Sequence, residues 1–512
     1  MDKRTLFRLT RESGFLWKSS GVLAALLLAA GTTVSFLNTQ RLNLFHEVMA
    51  APQSPVDPEI QVGGLQPEAL EPELILDAVL QSLETDTPFY ARLMDVSYML
   101  FFLKPETAPE LPAIGNLNAD QQAIAQGLVD CYAGAEGDTG AEALKKLAEG
   151  DAPPDANFAL AIVLMDRRDA DAAVEALHRE IDLHDSHHAR EQIVETYLQL
   201  EKYDILKALA RDRKYREFFT PSVLQDLALA RMDWPMILKT LLPAAYEHTA
   251  AGILVLAILS GLVWALILIR FNGSFSNVWK LVLPALVLGA FSAHATLLAV
   301  FWQDYQIGFR FGQTLYQQLL YCFSIGLREE TIKLLFFVPL IPFLRRKDDL
   351  VLLTVAGLVG LGFALEENVN YFDASAGLSA VTRFATANFL HIALTAMCGL
   401  TLARAVYHRG EEIQHAVTTF VMAVAIHGLY DAFLMVGDLV NFSWLTYTVF
   451  VLMGYQYFSW LKHLRDTWMD TFSITATFTY GIILVAGLTF ALYAWEVGPY
   501  LAVQAIIGEA IG

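Results

Sequence analysis

The chain has 512 residues, is 55% hydrophobic and has a mean hydropathy of +0.41, which excludes an ordinary soluble protein of this length. Its formal charge is −19, and between residues 46 and 248 acidic side chains outnumber basic ones more than two to one. That balance excludes nucleic acid as a partner, because phosphate binding needs a basic face.

A helix needs roughly 20 apolar residues to cross the hydrocarbon core. By that rule about nine spans are predicted, at 15–37, 249–270, 281–303, 319–344, 350–372, 386–407, 415–436, 441–462 and 475–497. Of the three cysteines, Cys131, Cys322 and Cys398, only Cys131 lies outside a predicted span, so no internal disulfide is expected in the soluble part. The fold class is therefore all-α, a polytopic membrane protein with an inserted soluble helical domain.

The N-terminus carries Lys3, Arg4, Arg8, Arg11 and Lys18 before its first apolar run. Basic residues near helix ends mark the cytoplasmic side, so residues 1–37 are expected to be a signal-anchor with its N-terminus inside. A cleaved signal peptide is the rival reading, but no small-x-small cleavage site follows the apolar core. Nine crossings from an inside start place Arg270 with Lys280, Arg345 to Lys347, Arg404 with Arg409, and Lys462 with Arg465 in cytoplasmic loops. The alternate loops hold few basic residues apart from Arg310 and Arg383. Residues 38–248 and the C-terminus then fall outside.

Residues 50–72, "APQSPVDPEIQVGGLQPEALEPE" from Ala51 on, read as a linker rich in Pro and acids. Beyond it helical patterning dominates. The runs "EALKKLAE" (142–149), "EALHREI" (175–181), "ILKAL" (205–209) and "ILKTL" (237–241) recur at offsets of 33, about 31 and 32 residues. Over about 120–245 this resembles tetratricopeptide-type helix pairs, which stack and leave a concave binding surface. A plain helical spacer is the other reading. His184, His187 and His188, flanked by Asp182 and Asp185, are expected to form a solvated turn between helices rather than a metal site.

The segment "CFSIGLREETIKLLFFVPLIPFL" (322–344) is oily enough to span a bilayer but carries Arg328, Glu329, Glu330 and Lys333 near its middle. A charge at mid-depth costs about 2.5–3.5 kcal/mol on insertion scales. Helical spacing puts Glu329, Glu330 and Lys333 on one face. Matching oddities follow on the next spans. "LGFALEENVNYF" (361–372) holds Glu366, Glu367 and Asn368 on a face with Phe363 and Tyr371. "NFLHIALTAMCG" (388–399) holds His391 and Thr395, and "AIHGLYDAFL" (425–434) holds His427 and Asp431, four apart. Helical rise places Glu330 and His427 near mid-depth, with His391 and Glu367 in the outer half. Four consecutive spans each bringing a carboxylate or imidazole predict one polar cavity.

Carboxylates and imidazoles with no Cys or Ser poised beside a His favour water activation over covalent attack. Two routes stay open. Zinc takes imidazole nitrogen and carboxylate oxygen and keeps one position for water, with a further Glu as general base. Alternatively a Glu in an apolar setting takes the proton from water without a metal.

"EETIK" fits an EExxK motif, "FALEEN" fits FxxxEN, and His391 with "HGLYD" fits two later histidine motifs. In these the sequence resembles the PrsW-type membrane proteases, relatives of the type II CAAX prenyl endopeptidases and of bacteriocin-processing membrane proteins. The resemblance covers roughly 250–440. CAAX-type relatives carry His where Glu367 stands, and the large domain between the first two spans is not part of the usual family core. The resemblance implies a membrane-embedded peptidase core at 249–440, between the outer domain at 38–248 and C-terminal helices at 441–512. It implies a bacterial cytoplasmic membrane, a membrane-anchored protein or peptide as substrate, with an anti-sigma factor as one option, and cleavage near the outer face.

On this reading Glu329 or Glu330 is the general base and the other is a ligand or holds Lys333. Glu330, His391 and His427 are the expected metal set, Glu367 completes the site, Asn368 donates to an oxyanion, and Asp431 orients His427. Arg328 and Glu366 receive no family role, and Arg328 is expected to pair with Glu329 or Asp431 or to reach a polar cavity. Two rivals remain. One is a transporter or channel built on the same buried Glu, His and Lys residues, although no duplicated halves are visible in 250–500. The other is a non-catalytic scaffold or immunity protein, although none of the motif residues is missing.

Overall fold

The computed structural model describes residues 9–37, 72–103, 109–132, 137–272, 275–408, 412–464 and 473–511. Among them there is no β-strand. The linker expected at 50–72 lies outside the described residues apart from its last position. So do Lys3, Arg4, Arg8, Arg409 and Arg465. Chain contacts divide the described residues into two units, 72–247 and the remainder, each with its own interior.

In the first unit ten helices follow one another: α2 (Pro72–Leu83), α3 (Phe89–Leu103), α4 (Ala119–Tyr132), α5 (Gly137–Leu147), α6 (Ala156–Asp166), α7 (Ala170–His184), α8 (His187–Gln199), α9 (Tyr203–Leu209), α10 (Pro221–Arg231) and α11 (Trp234–Ala245). Neighbours in sequence pack as neighbours in space, α4 on α5, α6 on α7, α7 on α8 and α10 on α11. A continuous core runs through Leu93, Leu128, Phe158, Leu177 and Ile193. Four helices start with a side-chain cap of the ordinary kind: Asp169, Ser186, Thr220 and Asp233 each accept from a backbone N–H in the first turn. The histidine cluster sits at the α7–α8 break, and its members face three different partners. His184 Nε2 meets Ala152 O at 2.8 Å, His187 Nε2 meets Glu217 Oε1 at 3.3 Å, and His188 Nε2 meets Asp155 Oδ1 at 2.8 Å while stacking on Tyr90.

The second unit contains α1 (Ser13–Leu37) and the helices α12 (Ala251–Asn272), α13 (Phe275–Phe301), α14 (Leu315–Phe337), α15 (Asp349–Ala374), α16 (Ala380–Ala385), α17 (Ala387–Tyr407), α18 (Ile413–Met435), α19 (Leu445–Leu464), α20 (Ile474–Val497) and α21 (Pro499–Ile511). Each of the nine predicted spans contains a long helix. Seven helical segments among the described residues are long and apolar enough to cross a membrane, α1, α12, 278–307, α15, 380–407, α18 and 474–495. The two that fall short are α14, which carries Arg328, Glu329, Glu330 and Lys333, and α19, where Gln456, Lys462 and three tyrosines dilute the apolar run. The short helix α21 was not expected from the sequence.

The centre of this unit is α15 with 380–407, whose apolar windows are 78% and 83% buried against other helices, compared with 17% for α1. Helix α15 packs on α13, α12 and α17, while α14 packs on α18 and α1 on α20. Glycines set the closest crossings, as they do between membrane helices generally. A Cβ added at Gly289 on α13 would stand 2.1 Å from Val359 O, and one at Gly362 on α15 would stand 2.1 Å from Leu286 O. All three cysteines are free and buried.

Candidate active site

Glu329, Glu330, Lys333, Glu367, His391, His427 and Asp431, from four helices, meet in one cluster, which Arg328 and Glu366 do not join. Helix α14 opens with a capping box between Thr314 and Gln317, and its last turns present Glu329, Glu330 and Lys333 inward. Gly326 lets α14 approach α18: a Cβ there would lie 2.8 Å from Val424 O and 3.1 Å from His427 Cβ. In the same way Gly360 on α15 backs onto His391 O of α17, at 2.3 Å from an added Cβ. Glu330 and Lys333 are fully buried, and Glu329, Asn368, His391 and His427 are buried with them.

Lys333 is the hub. Its Nζ donates to Glu330 Oε1 at 2.7 Å and to His391 Nδ1 at 3.0 Å, and stands 3.5 Å from Glu329 Oε2. It also lies 4.3 Å from the centre of the Phe363 ring. His391 Nε2 meets Glu367 Oε2 at 2.9 Å, and His427 Nδ1 meets Glu330 Oε1 at 2.9 Å. A carboxylate can only accept, so His391 carries its proton on Nε2 and His427 on Nδ1. His391 Nδ1, which accepts from Lys333, keeps its lone pair, and His427 Nε2 has one when that ring is neutral.

His427 Nε2 faces two carboxylate oxygens, Glu329 Oε2 and Asp431 Oδ2, each at 3.6 Å. Both oxygens are buried and have no hydrogen-bond partner among the described residues. Ligand atoms of Glu329, His391 and His427 all lie within 4.8 Å of one another, which suits a metal ion. The carboxylate in this group is Glu329; Glu330, expected from the sequence as a ligand, is engaged with Lys333 and His427. The charges lean the same way. Glu329, Glu330, Glu367 and Asp431 bring four carboxylates against the two cations Lys333 and Arg383. A divalent ion or protons would balance the remainder. The residues present thus fit zinc, which accepts imidazole and carboxylate ligands. Ligation by His391 Nδ1 would require the Lys333 ammonium to give way.

Sequence reasoning missed Arg383, Asn388 and His294. Arg383 reaches Glu367 and Asn368 from α16. The Asn368 amide donates to Asn388 Oδ1 at 2.6 Å and accepts from Arg383, so in this arrangement it ties α15 to its neighbours. Asn388 in turn donates to Ser260 Oγ at 2.8 Å. His294 Nε2 on α13 lies 3.1 Å from Glu366 Oε1, which gives Glu366 a partner away from the cluster. Arg328 donates to Gln303 Oε1 at 2.7 Å, a partner the sequence reading did not weigh. The signal for Arg383 was present, since it is one of only two basic residues in loops otherwise poor in them.

Residues 277–456, which contain every residue of the cluster, match the family described as PrsW family intramembrane metalloprotease. No curated protein and no solved structure matches the chain. The match supports a PrsW-type intramembrane peptidase and, with the apolar helices, a multi-pass membrane protein.

Proposed function

We propose that this chain is a membrane-embedded protease that activates water between Glu329, His391, His427 and Asp431 and cuts a membrane-anchored protein or peptide. The observation that carries the reading is the convergence of Glu329, His391 and His427, from three helices of the matched segment, on one buried spot. A bound zinc ion, held by Glu329, His391 Nδ1 and His427 Nε2, would supply Lewis acidity and lower the pKa of water. The chain's own residues do the rest. Glu330 accepts the Nδ1 proton of His427 and fixes its tautomer and ring, as carboxylates do behind metal-binding histidines. Glu367 does the same for His391. Asp431 Oδ2, buried with no hydrogen-bond partner among the described residues and beside His427 Nε2, is the carboxylate placed to take a proton from water. Lys333 offsets the acids and, once released from His391, can steady a developing oxyanion.

The loop charges favour an orientation with residues 38–248 outside, and the likeness to PrsW-type proteases favours a bacterial cytoplasmic membrane and a cut near the outer face. The helical unit at 72–247 then offers a docking platform for the substrate's outer portion, and an anti-sigma factor is one substrate of this kind. The test is cleavage of a single-span protein by the purified chain in liposomes, with product masses locating the cut. Loss of cleavage in Glu329→Gln and His427→Ala supports the reading. Parental rates in both variants, or gradient-driven ion flux without cleavage, would overturn it.

A further inference from the structure

Arg383 sits on α16, a six-residue helix that straps the end of α15 to the start of α17. The strap is reached through a tight turn in which Ala376 has φ 48° and Gly377 has φ 88°. It is pinned from α12, where Trp264 Nε1 donates to Phe384 O at 2.8 Å. From this fixed base the Arg383 guanidinium carbon lies over the Tyr371 ring, 3.6 Å from its centre. Its Nε donates to Asn368 Oδ1 at 2.7 Å and a terminal nitrogen donates to Glu367 Oε2 at 2.8 Å. One planar fork therefore grips two consecutive side chains of α15. The Glu367 oxygen that Arg383 holds is the one that accepts from His391 Nε2.

We infer that Arg383 is a positioning residue of this site: it fixes the Glu367 carboxylate, and through it the tautomer and ring orientation of His391. The inference rests on the proposed peptidase function for its consequence and on the hydrogen bonds alone for its geometry. A glutamate side chain has three rotatable bonds, and a second cation, Lys333, lies on the far side of His391. Without Arg383 the Glu367 carboxylate is drawn toward that ammonium, and the imidazole loses the acceptor that keeps its proton on Nε2. Lysine cannot replace the fork, because it presents a point charge on a flexible stem. The aromatic platform matters through its ring face, so phenylalanine can replace Tyr371.

The test compares the full chain with Arg383→Gln, Arg383→Lys and Tyr371→Phe. The readouts are zinc affinity by chelator competition, kcat and KM for a cleaved substrate, and the 15N spectrum of the His391 imidazole. Both Arg383 variants should lose about 10–100-fold in zinc affinity or kcat, the range for groups behind a metal ligand. KM should stay near the parental value and Tyr371→Phe should behave as the parent. The His391 spectrum should show an Nε2–H tautomer in the parent and a tautomer mixture in Arg383→Gln. An unchanged His391 spectrum in Arg383→Gln overturns the inference whatever the activity. If the parent cleaves nothing while the His391 spectrum shifts as expected, the peptidase reading falls and the positioning role of Arg383 stands.

Discussion

Lys333 Nζ donates to Glu330 Oε1 at 2.7 Å, and neither side chain reaches the surface. Removing one member of such a pair leaves the other a buried charge without its nearest counter-ion, which costs about 3–5 kcal/mol. Lys333→Met and Glu330→Gln are each expected to lower stability by that amount in detergent melts. The double variant should lose less than the sum of the two singles, because it leaves no orphaned partner. Additive losses would mean that the two side chains are not coupled.

Metal content should follow the Glu329, His391 and His427 group. Elemental analysis of the purified chain is expected to find a zinc-type ion near one per chain, lost on chelation together with cleavage. Glu329→Gln and His427→Ala should abolish retention and reduce cleavage by at least about 100-fold. His294→Ala, whose histidine faces Glu366 and is not among the grouped ligand atoms, should keep its metal. A metal-free parent that still cleaves would favour direct water activation by a carboxylate.

The α13–α15 crossing admits no side chain at Gly289 or Gly362. Gly362→Ala forces a methyl group against the Leu286 carbonyl and should part the helices, at about 1–3 kcal/mol. Glu367 stands one and a half turns further along α15, so the shift should also misplace the site. A displacement near 1 Å can cost about 100-fold in rate. A variant with parental stability and rate would show that the crossing is looser than the distances indicate.

In the soluble unit Glu180 is 1% exposed. Its Oε1 accepts from the Asp155 amide at 2.8 Å, while Oε2 has no hydrogen-bond partner among the described residues. Burial pushes its carboxyl above the ordinary glutamate range, outweighing the Asp155 bond and the nearby His184 and His188. The folded unit therefore binds the Glu180 proton more tightly than the unfolded chain. Its contribution is present below the unfolded value of about 4.3 and is lost as pH rises through the raised value. Glu180→Gln should flatten the decline in melting temperature between acid and neutral pH. An identical slope in the variant would remove Glu180 as its source.

Much of this was legible in the sequence because periodicity and composition carry it. Apolar runs of membrane length announced the helices, and charges inside such runs announced the cluster, since burying them requires partners. Spacing also put Phe363 and Tyr371 on the stripe of Glu367, where they now meet Lys333 and Arg383. What stayed hidden depends on helix rotation and approach, which one-dimensional spacing does not encode. Glu329 and Glu330 are adjacent in sequence, so their division of labour follows from how α14 turns against α18. Arg383 lies on a helix too short to show a period, and its reach to Glu367 follows from the turn at Ala376 and Gly377. Asn368 looked like a free donor until Asn388 and Arg383 took up its amide.

The scattered origin of the site has a consequence for biosynthesis. Helix α14 leaves the ribosome carrying four charges, while the imidazole for Lys333 follows 58 residues later and the one for Glu330 follows 97 residues later. At about 5–20 residues per second the second wait is about 5–20 s. During that interval α14 has only its own pairs, Lys333 with Glu329 and Glu330, to offset its charges, and neither imidazole is yet available to them. A ribosome that stalls before residue 427 would thus leave behind an α14 whose Glu330 lacks its imidazole partner, a natural target for membrane quality control.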